Sequence, residues 1–257
     1  MMMKINIPIP LLTIISCCFF ALMSCNDSNE AASPTGTGKG GSMARFTVAG
    51  DHLYVVDSRN LHVYEVKDPA TPKKVKEVRL GVDIETIFPY QEKLFIGSMN
   101  GMHIYSLADP ENPVHLSTWS HVTSCDPVVV QDTLAYVTLR TGNSCTRGEN
   151  QLYILNVSDP EFPRLINRYQ MTNPFGLGID GNTLFICEGT HGLKVLNVED
   201  PLNIREIKSI PDMHAFDVIP SSNNLILTGA DGIFQYNYED PENLSLNSAM
   251  TISNNCE

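Results

Sequence analysis

The sequence predicts an all-β fold, a five-bladed β-propeller with four antiparallel strands per blade, and three observations carry that prediction. A nine-residue phrase recurs five times: LHVYEVKDP (61–69), MHIYSLADP (102–110), LYILNVSDP (152–160), LKVLNVEDP (193–201) and IFQYNYEDP (233–241). The Asp-Pro ends of these phrases are spaced by 41, 50, 41 and 40 residues, the range in which repeats build propellers or solenoids. Between them lie short β-type runs punctuated by turn residues, with no helical period. A solenoid is the competing architecture, but its repeats usually hold fewer strands over a shorter period.

Within each repeat the strands follow in order. Aligned on Leu53, Leu94, Leu134, Leu184 and Leu225, two runs flank a polar turn, as in ARFTVAGDHLYVVD or FGLGIDGNTLFICE. The first run is strand A. The second, rich in Val, Ile, Leu, Phe and Tyr, is strand B and is apolar on both faces, as a buried strand is. A turn that often contains Gly (MNG, THG, ADG) leads to strand C, which ends at Asp-Pro because proline has no N–H to give to a ladder. Segments such as VKEVRL, LINRYQ and IREIKS alternate and carry charge, as an outer strand D does. LSLNSA fills that place less clearly in the fifth repeat.

Ahead of the repeats, residues 1–24 carry a single charge, Lys4, before an apolar run interrupted by Pro8 and Pro10, which reads as an export signal rather than a membrane span. The signal ends in Leu22-Met23-Ser24-Cys25, which resembles a bacterial lipoprotein box with Cys25 as the acylated residue; an ordinary secretory signal is the plainer alternative. Residues 25–42 are rich in Gly, Ser, Asn, Thr and Pro, and form a flexible tether able to hold the domain roughly 20 Å from a surface. The propeller domain is then expected over 43–257, a length that suits one all-β unit.

The five phrases, together with Ala215-Phe216-Asp217-Val218 at a strand A, resemble the LVIVD-repeat family of bacterial propellers, many of them lipoproteins. The resemblance spans nearly the whole domain, although Arg45, Thr86 and Gly176 stand where its strand-A aspartate is expected. It implies a fold and an export route; with the lipid anchor on Cys25, the expected location is the cell envelope of a Gram-negative-type bacterium, at its outer membrane. It implies no settled activity.

Composition narrows the partners. A net charge of −12 with no basic cluster repels nucleic acid and anionic lipid, leaving contact with the membrane to the lipid anchor alone. No cofactor motif is present, and the cysteines lack the close pairing that a metal needs. Cys125 and Cys145, at the start of one strand A and in the long insertion of the same repeat, are expected to form a disulfide, worth about 3 kcal/mol in the chain-entropy model. Cys187, in an apolar strand, is expected to be a buried thiol and Cys256 a tail thiol, a bridge between them being the alternative.

The connections between strands D and A reach the mouth of the central channel, where loops on a rigid scaffold bind ligands. They place Arg45, Asp83, Glu85, His121, Asp126, His214 and Asp217 there as candidate ligand-binding residues. Trp119, Tyr169 and Phe175 are aromatics available for stacking on a sugar, with blade packing as the plainer role for at least two. Two functions stay open on this evidence. One is a non-catalytic propeller binding a protein or a glycan; the other is a carbohydrate-active enzyme, a hydrolase or lyase, using Asp83, Glu85, Asp126 and Asp217. The aspartates at the repeated strand-A position have a third use, as caps for backbone N–H groups.

Overall fold

A computed structural model of the chain describes residues 40–81, 83–120, 127–141 and 149–252, and the predicted architecture is there. Twenty strands among the described residues form five four-stranded antiparallel sheets in sequence order, the blades of a propeller. Blade 1 holds β1 (Phe46–Ala49), β2 (His52–Val56), β3 (Asn60–Glu65) and β4 (Lys73–Arg79). Blade 2 holds β5 (Ile84–Tyr90), β6 (Lys93–Ser98), β7 (Gly101–Ser106) and β8 (Val114–Ser120). Blade 3 holds β9 (Val128–Gln131), β10 (Leu134–Leu139), β11 (Gln151–Asn156) and β12 (Arg164–Gln170). Blade 4 holds β13 (Leu177–Asp180), β14 (Thr183–Cys187), β15 (Leu193–Asn197) and β16 (Arg205–Ile210). Blade 5 holds β17 (Ala215–Ser221), β18 (Asn224–Gly229), β19 (Gly232–Asn237) and β20 (Ser245–Thr251), so the faint fifth strand D is real.

The repeated Asp-Pro is a turn between strands C and D. The carboxylates of Asp68, Asp109, Asp159, Asp200 and Asp240 each accept the backbone N–H two residues on, at 2.9–3.1 Å. Their backbone carbonyls accept the N–H three residues on, and proline in between fixes the φ that such a turn needs. The turns also latch neighbouring blades, because Tyr54 Oη donates to Pro110 O at 2.9 Å and Tyr169 Oη to Pro201 O at 2.9 Å. Each strand C–strand D ladder shifts register once, between Val63 and Tyr64, Ile104 and Tyr105, Ile154 and Leu155, Val195 and Leu196, and Gln235 and Tyr236. A bulge there strengthens the twist and turns the outer strand away from the sheet.

The ladders correct one alignment. Leu94, Leu184 and Leu225 each follow the residue that pairs across the A–B turn, whereas in blade 3 that residue is Leu134 itself, paired with Gln131. Ala135 therefore takes the place of the central leucine and is fully buried, while Leu134 sits half-buried at the turn. Apolar run and register differ by one residue here because Ala is too small to mark the position by hydrophobicity.

Among the described residues, consecutive blades bury apolar faces on one another, while Phe46 on blade 1 and Ile226, Ile233 and Met250 on blade 5 are exposed. Four cores result: blade 1 on 2 around Tyr54, Leu61 and Ile96; 2 on 3 around Phe95, Ile104 and Val137; 3 on 4 around Tyr136, Ile154 and Ile186; and 4 on 5 around Phe185, Val195 and Leu227. Trp119 and Tyr169 pack against two of these cores, Trp119 edge-on to Tyr153 at 5.5 Å. Cys187 is a free thiol in the fourth core, where burial first and the charge of Asp217 second push its pKa well up. Cys25, Cys125, Cys145 and Cys256 lie outside the described residues.

Two outcomes follow. Gly192 has φ +86° at the turn into β15, and a Cβ there would stand 1.9 Å from Ile210 O on strand D. Gly192→Ala is expected to cost about 2–3 kcal/mol, from backbone strain and from parting the β15–β16 ladder, measured by urea unfolding. Hydrogen bonds from Thr71, Asn203 and Asn243 hold the carboxyls of Asp68, Asp200 and Asp240 below the usual range. A lowered carboxyl stabilises the fold above its unfolded pKa and loses that contribution as the pH falls through the folded pKa. Thermal melting is therefore expected to drop as the pH falls below about 4, and Asp200→Asn, which keeps an acceptor but no charge, to flatten that drop.

Candidate functional site

The strap that opens the folded unit organises the channel mouth. Residues 41–44 form a turn, Ala44 N–H donating to Gly41 O at 3.0 Å, directly ahead of β1. Ser42 is buried, although the sequence placed it in the tether. Its hydroxyl donates to Asp217 Oδ1 at 3.0 Å and accepts Leu177 N–H at 2.7 Å, joining the start of the chain to blades 5 and 4. Met43 N–H donates to Asp217 Oδ2 at 3.3 Å and Val218 N–H to Oδ1 at 3.0 Å. On the other side Ala44 O accepts Ile87 N–H at 2.9 Å, and Arg45 Nη2 donates to Ile84 O at 3.2 Å, reaching blade 2.

Close approach explains the glycines around Asp217. A Cβ on Gly41 would stand 2.0 Å from Asp217 Oδ2, and one on Gly176 would stand 2.1 Å from Oδ1. Gly176 thus departs from the strand-A aspartate because the aspartate of the next blade needs the space. Burial pushes the Asp217 carboxyl up, against the four hydrogen bonds that pull it down. Below the strap the channel narrows to an apolar void of about 40 Å³ lined by Gly40, Phe88, Val129, Ile179 and Ile219.

Above it opens a cavity of about 180 Å³, lined by Met43, Arg45, Glu85, Thr86, Pro127, Arg140 and Phe175 from the first four blades and the strap. Arg140, at the end of strand B in blade 3, lies over the Phe175 ring with its guanidinium carbon 3.9 Å from the ring centre. Thr138 holds that ring in place by donating to Phe175 O at 2.7 Å. Burial lowers the Arg140 pKa and the charge of Glu85 acts the other way; a guanidinium stays charged at neutral pH. An aromatic shelf continues outward, Phe175 to Phe216 at 5.9 Å and Phe216 to His214 at 4.7 Å.

The cavity thus brings Arg45 and Glu85 together. His214 stacks on Phe216 and does not line the cavity, and Asp217 is bonded to the strap. Asp83 is exposed at φ +57°, its carbonyl accepting Met99 N–H at 3.1 Å, and it does not line the cavity. His121 and Asp126 lie outside the described residues. Sequence reasoning did not find Arg140, which reads there as the start of an insertion, nor Met43 and Thr86. The one available signal is that Arg140 is a charged residue directly after a buried strand.

No known family profile matches the chain, and no curated protein matches it by sequence. By fold it is similar to solved propellers. A functionally unknown protein from Desulfotomaculum acetoxidans superposes with a TM-score of 0.65 at 13% identity over 81% of this chain and 69% of its own. A periplasmic gluconolactonase from Pseudomonas aeruginosa gives 0.60 at 12% over 79% and 68%. The computationally designed Ika8 protein gives 0.58 at 9% over 80% of this chain and 60% of its own, so the chain spans less than two thirds of that propeller's length.

Asp217→Ala removes an acceptor used by four N–H or O–H groups, three of them in the strap. A loss of about 3 kcal/mol is expected, read by chemical unfolding, with Asp217→Asn intermediate.

Proposed function

We propose that this chain is a non-catalytic binding propeller of the LVIVD-repeat type, displayed by a lipid on Cys25 at the outer membrane of a Gram-negative-type envelope. Its binding end is the mouth lined by Arg45, Glu85, Arg140 and Phe175. The observation that carries the reading is the division of labour at the channel. Asp217, the strand-A aspartate among the described residues, is committed to backbone and Ser42, while the groups above it form an open cavity. Such a cavity, with two guanidiniums, one carboxylate and an aromatic face, suits polar groups presented by a protein or a glycan. Glycoside hydrolysis needs two opposed carboxyls, and Glu85 is the one carboxylate among the described residues lining the cavity.

The test is a photo-crosslinking amino acid placed in living cells at Met43, which is partly exposed at the mouth, and at Leu202, exposed on a distant turn. An adduct from position 43 and none from 202 is the expected result, and its sensitivity to protease or to glycosidase identifies the class of partner. Equal labelling from both positions would overturn the assignment of the mouth. Release of reducing sugar from an envelope glycan, abolished in Glu85→Gln, would overturn the non-catalytic half. Cys25→Ser is expected to move the chain from the membrane fraction to the soluble one.

A further inference from the structure

The mouth owes its contents to a backbone device at the head of strand A. There the ladder to strand B shifts register, between Ile84 and Thr86 in blade 2 and between Ala215 and Asp217 in blade 5, so Glu85 and Phe216 are the extra residues of a bulge. A bulge breaks the strict alternation of a strand and re-aims a side chain. Glu85 and Thr86, consecutive in sequence, therefore both line the cavity. Phe175, two residues ahead of Leu177 as Glu85 is two ahead of Ile87, holds the same place in blade 4 and lines it too.

Charge separates the two ends of the blades. Strands A and C run away from the mouth, so the A–B and C–D turns stand at the far end. There Asp68, Asp109, Asp159, Asp200 and Asp240 are all exposed, in a chain whose net charge is −12. The mouth reverses that sign. Among the described residues lining its cavity, two guanidiniums, Arg45 and Arg140, meet one carboxylate, Glu85, which leaves a single positive charge in excess. The fold positions both cations: Arg45 Nη2 donates to Ile84 O at 3.2 Å, and Arg140 lies 3.9 Å over the centre of the Phe175 ring. Arg140 is half-buried, and a cation taken part of the way out of water gains from a bound anion.

We infer that the mouth binds a sugar acid, a hexuronate unit of a glycan, with its carboxylate between Arg45 and Arg140 and its ring hydroxyls on Glu85 and Thr86. The inference rests on the mouth being the binding end and adds what is bound there. The charge balance selects a monoanion, since a dianionic phosphate ester exceeds one positive charge and a zwitterionic amino acid leaves it unmatched. A guanidinium fork matches a carboxylate in shape as well as in charge. Glu85, when ionised, accepts hydrogen bonds and gives none, so the rest of the ligand supplies donors. Its two oxygens stand side by side and take neighbouring hydroxyls of one ring. An extended peptide turns its N–H groups to one side at every second residue, about 7 Å apart, and reaches such a pair with one of them. A cavity of about 180 Å³ has room for a sugar ring and none for a folded surface.

Isothermal titration of the full chain in detergent tests this with trisaccharides of galacturonate and of glucuronate, the same sugars with their carboxyls reduced to alcohols, and tripeptides with a free C-terminus. The uronates are expected to bind, about tenfold or more weakly once the carboxyls are reduced, and to lose as much in Arg45→Gln or Arg140→Gln. Arg140→Lys, which keeps the charge and loses the fork, is expected to fall between. Arg164→Gln, exposed on the outer strand of blade 3, is expected to bind as the wild type does, and thermal melting checks that every variant is folded. Reduced sugars bound as tightly as the uronates would overturn the inference, as would tripeptides bound in place of sugars. Uronate binding that neither arginine substitution changes would put the sugar elsewhere and overturn it too, and so would a failure of every uronate to bind at millimolar concentration. In each of those cases the adduct from position 43 still decides, separately, whether the mouth is the binding end.

Discussion

A blade of four strands with two apolar faces has no core of its own, and everything else in this molecule depends on that constraint. Full burial of one large aliphatic or aromatic side chain stabilises by about 1.5–3 kcal/mol. Each of the four junctions between consecutive blades gathers many of them, including Tyr54, Leu94 and Ile96 between blades 1 and 2 alone. The five repeats therefore stabilise one another rather than themselves, and the edges of the array are where the logic changes. Blade 5 presents Gln235 where the four other blades place Val63, Ile104, Ile154 and Val195. Gln235 is tied to Asn224 at 3.1 Å and to Ser248 at 3.2 Å, a polar centre in an otherwise apolar face.

At the inner edge a different interaction takes over. Ser42, Asp217 and Leu177 N–H form a compact polar node inside the channel, and it does two things at once. It ties the first strand to the last blade without a blade-to-blade core, and it separates an apolar lower channel from the polar mouth. The raised carboxyl of Asp217 works against the exposed turn aspartates in the dependence on pH. Between its unfolded and folded pKa the native state holds the extra proton, so its contribution declines as the pH rises there, whereas theirs grows at lower pH, between their lowered folded pKa and the unfolded value, and is constant above it.

The mouth is built from positions that are equivalent by repeat and different by chemistry. Arg45, Thr86, Gly176 and Asp217 occupy one recurring place at the head of strand A, and the four have distinct duties. Arg45 reaches a carbonyl of blade 2, Thr86 lines the cavity, Gly176 makes room and Asp217 holds the strap. Arg140 comes from elsewhere, the end of β10, and meets Phe175 across a blade junction. A repeat alignment could point to the first set because the repeat itself marks the position. It could not point to Arg140, whose partner is 35 residues away in sequence.

The sequence by itself determined the blades: the recurring Asp-Pro, the apolar strand B and the turn residues are local signals, readable because turn chemistry and strand periodicity act over a few residues. It also left Trp119 and Tyr169 a packing role, and it pointed Arg45 and Glu85 to the mouth in one set with Asp83 and His214, which do not line the cavity. Only the tertiary structure decided that Ser42 belongs to the folded unit, that Ala135 rather than Leu134 carries the buried register of blade 3, and that the last junction differs from the other four. Those outcomes rest on contacts between residues as distant as Ser42 and Asp217, 175 positions apart. A hydrogen bond or a packing face of that kind leaves no trace in local composition, because its partner is chosen by the closure of the chain on itself.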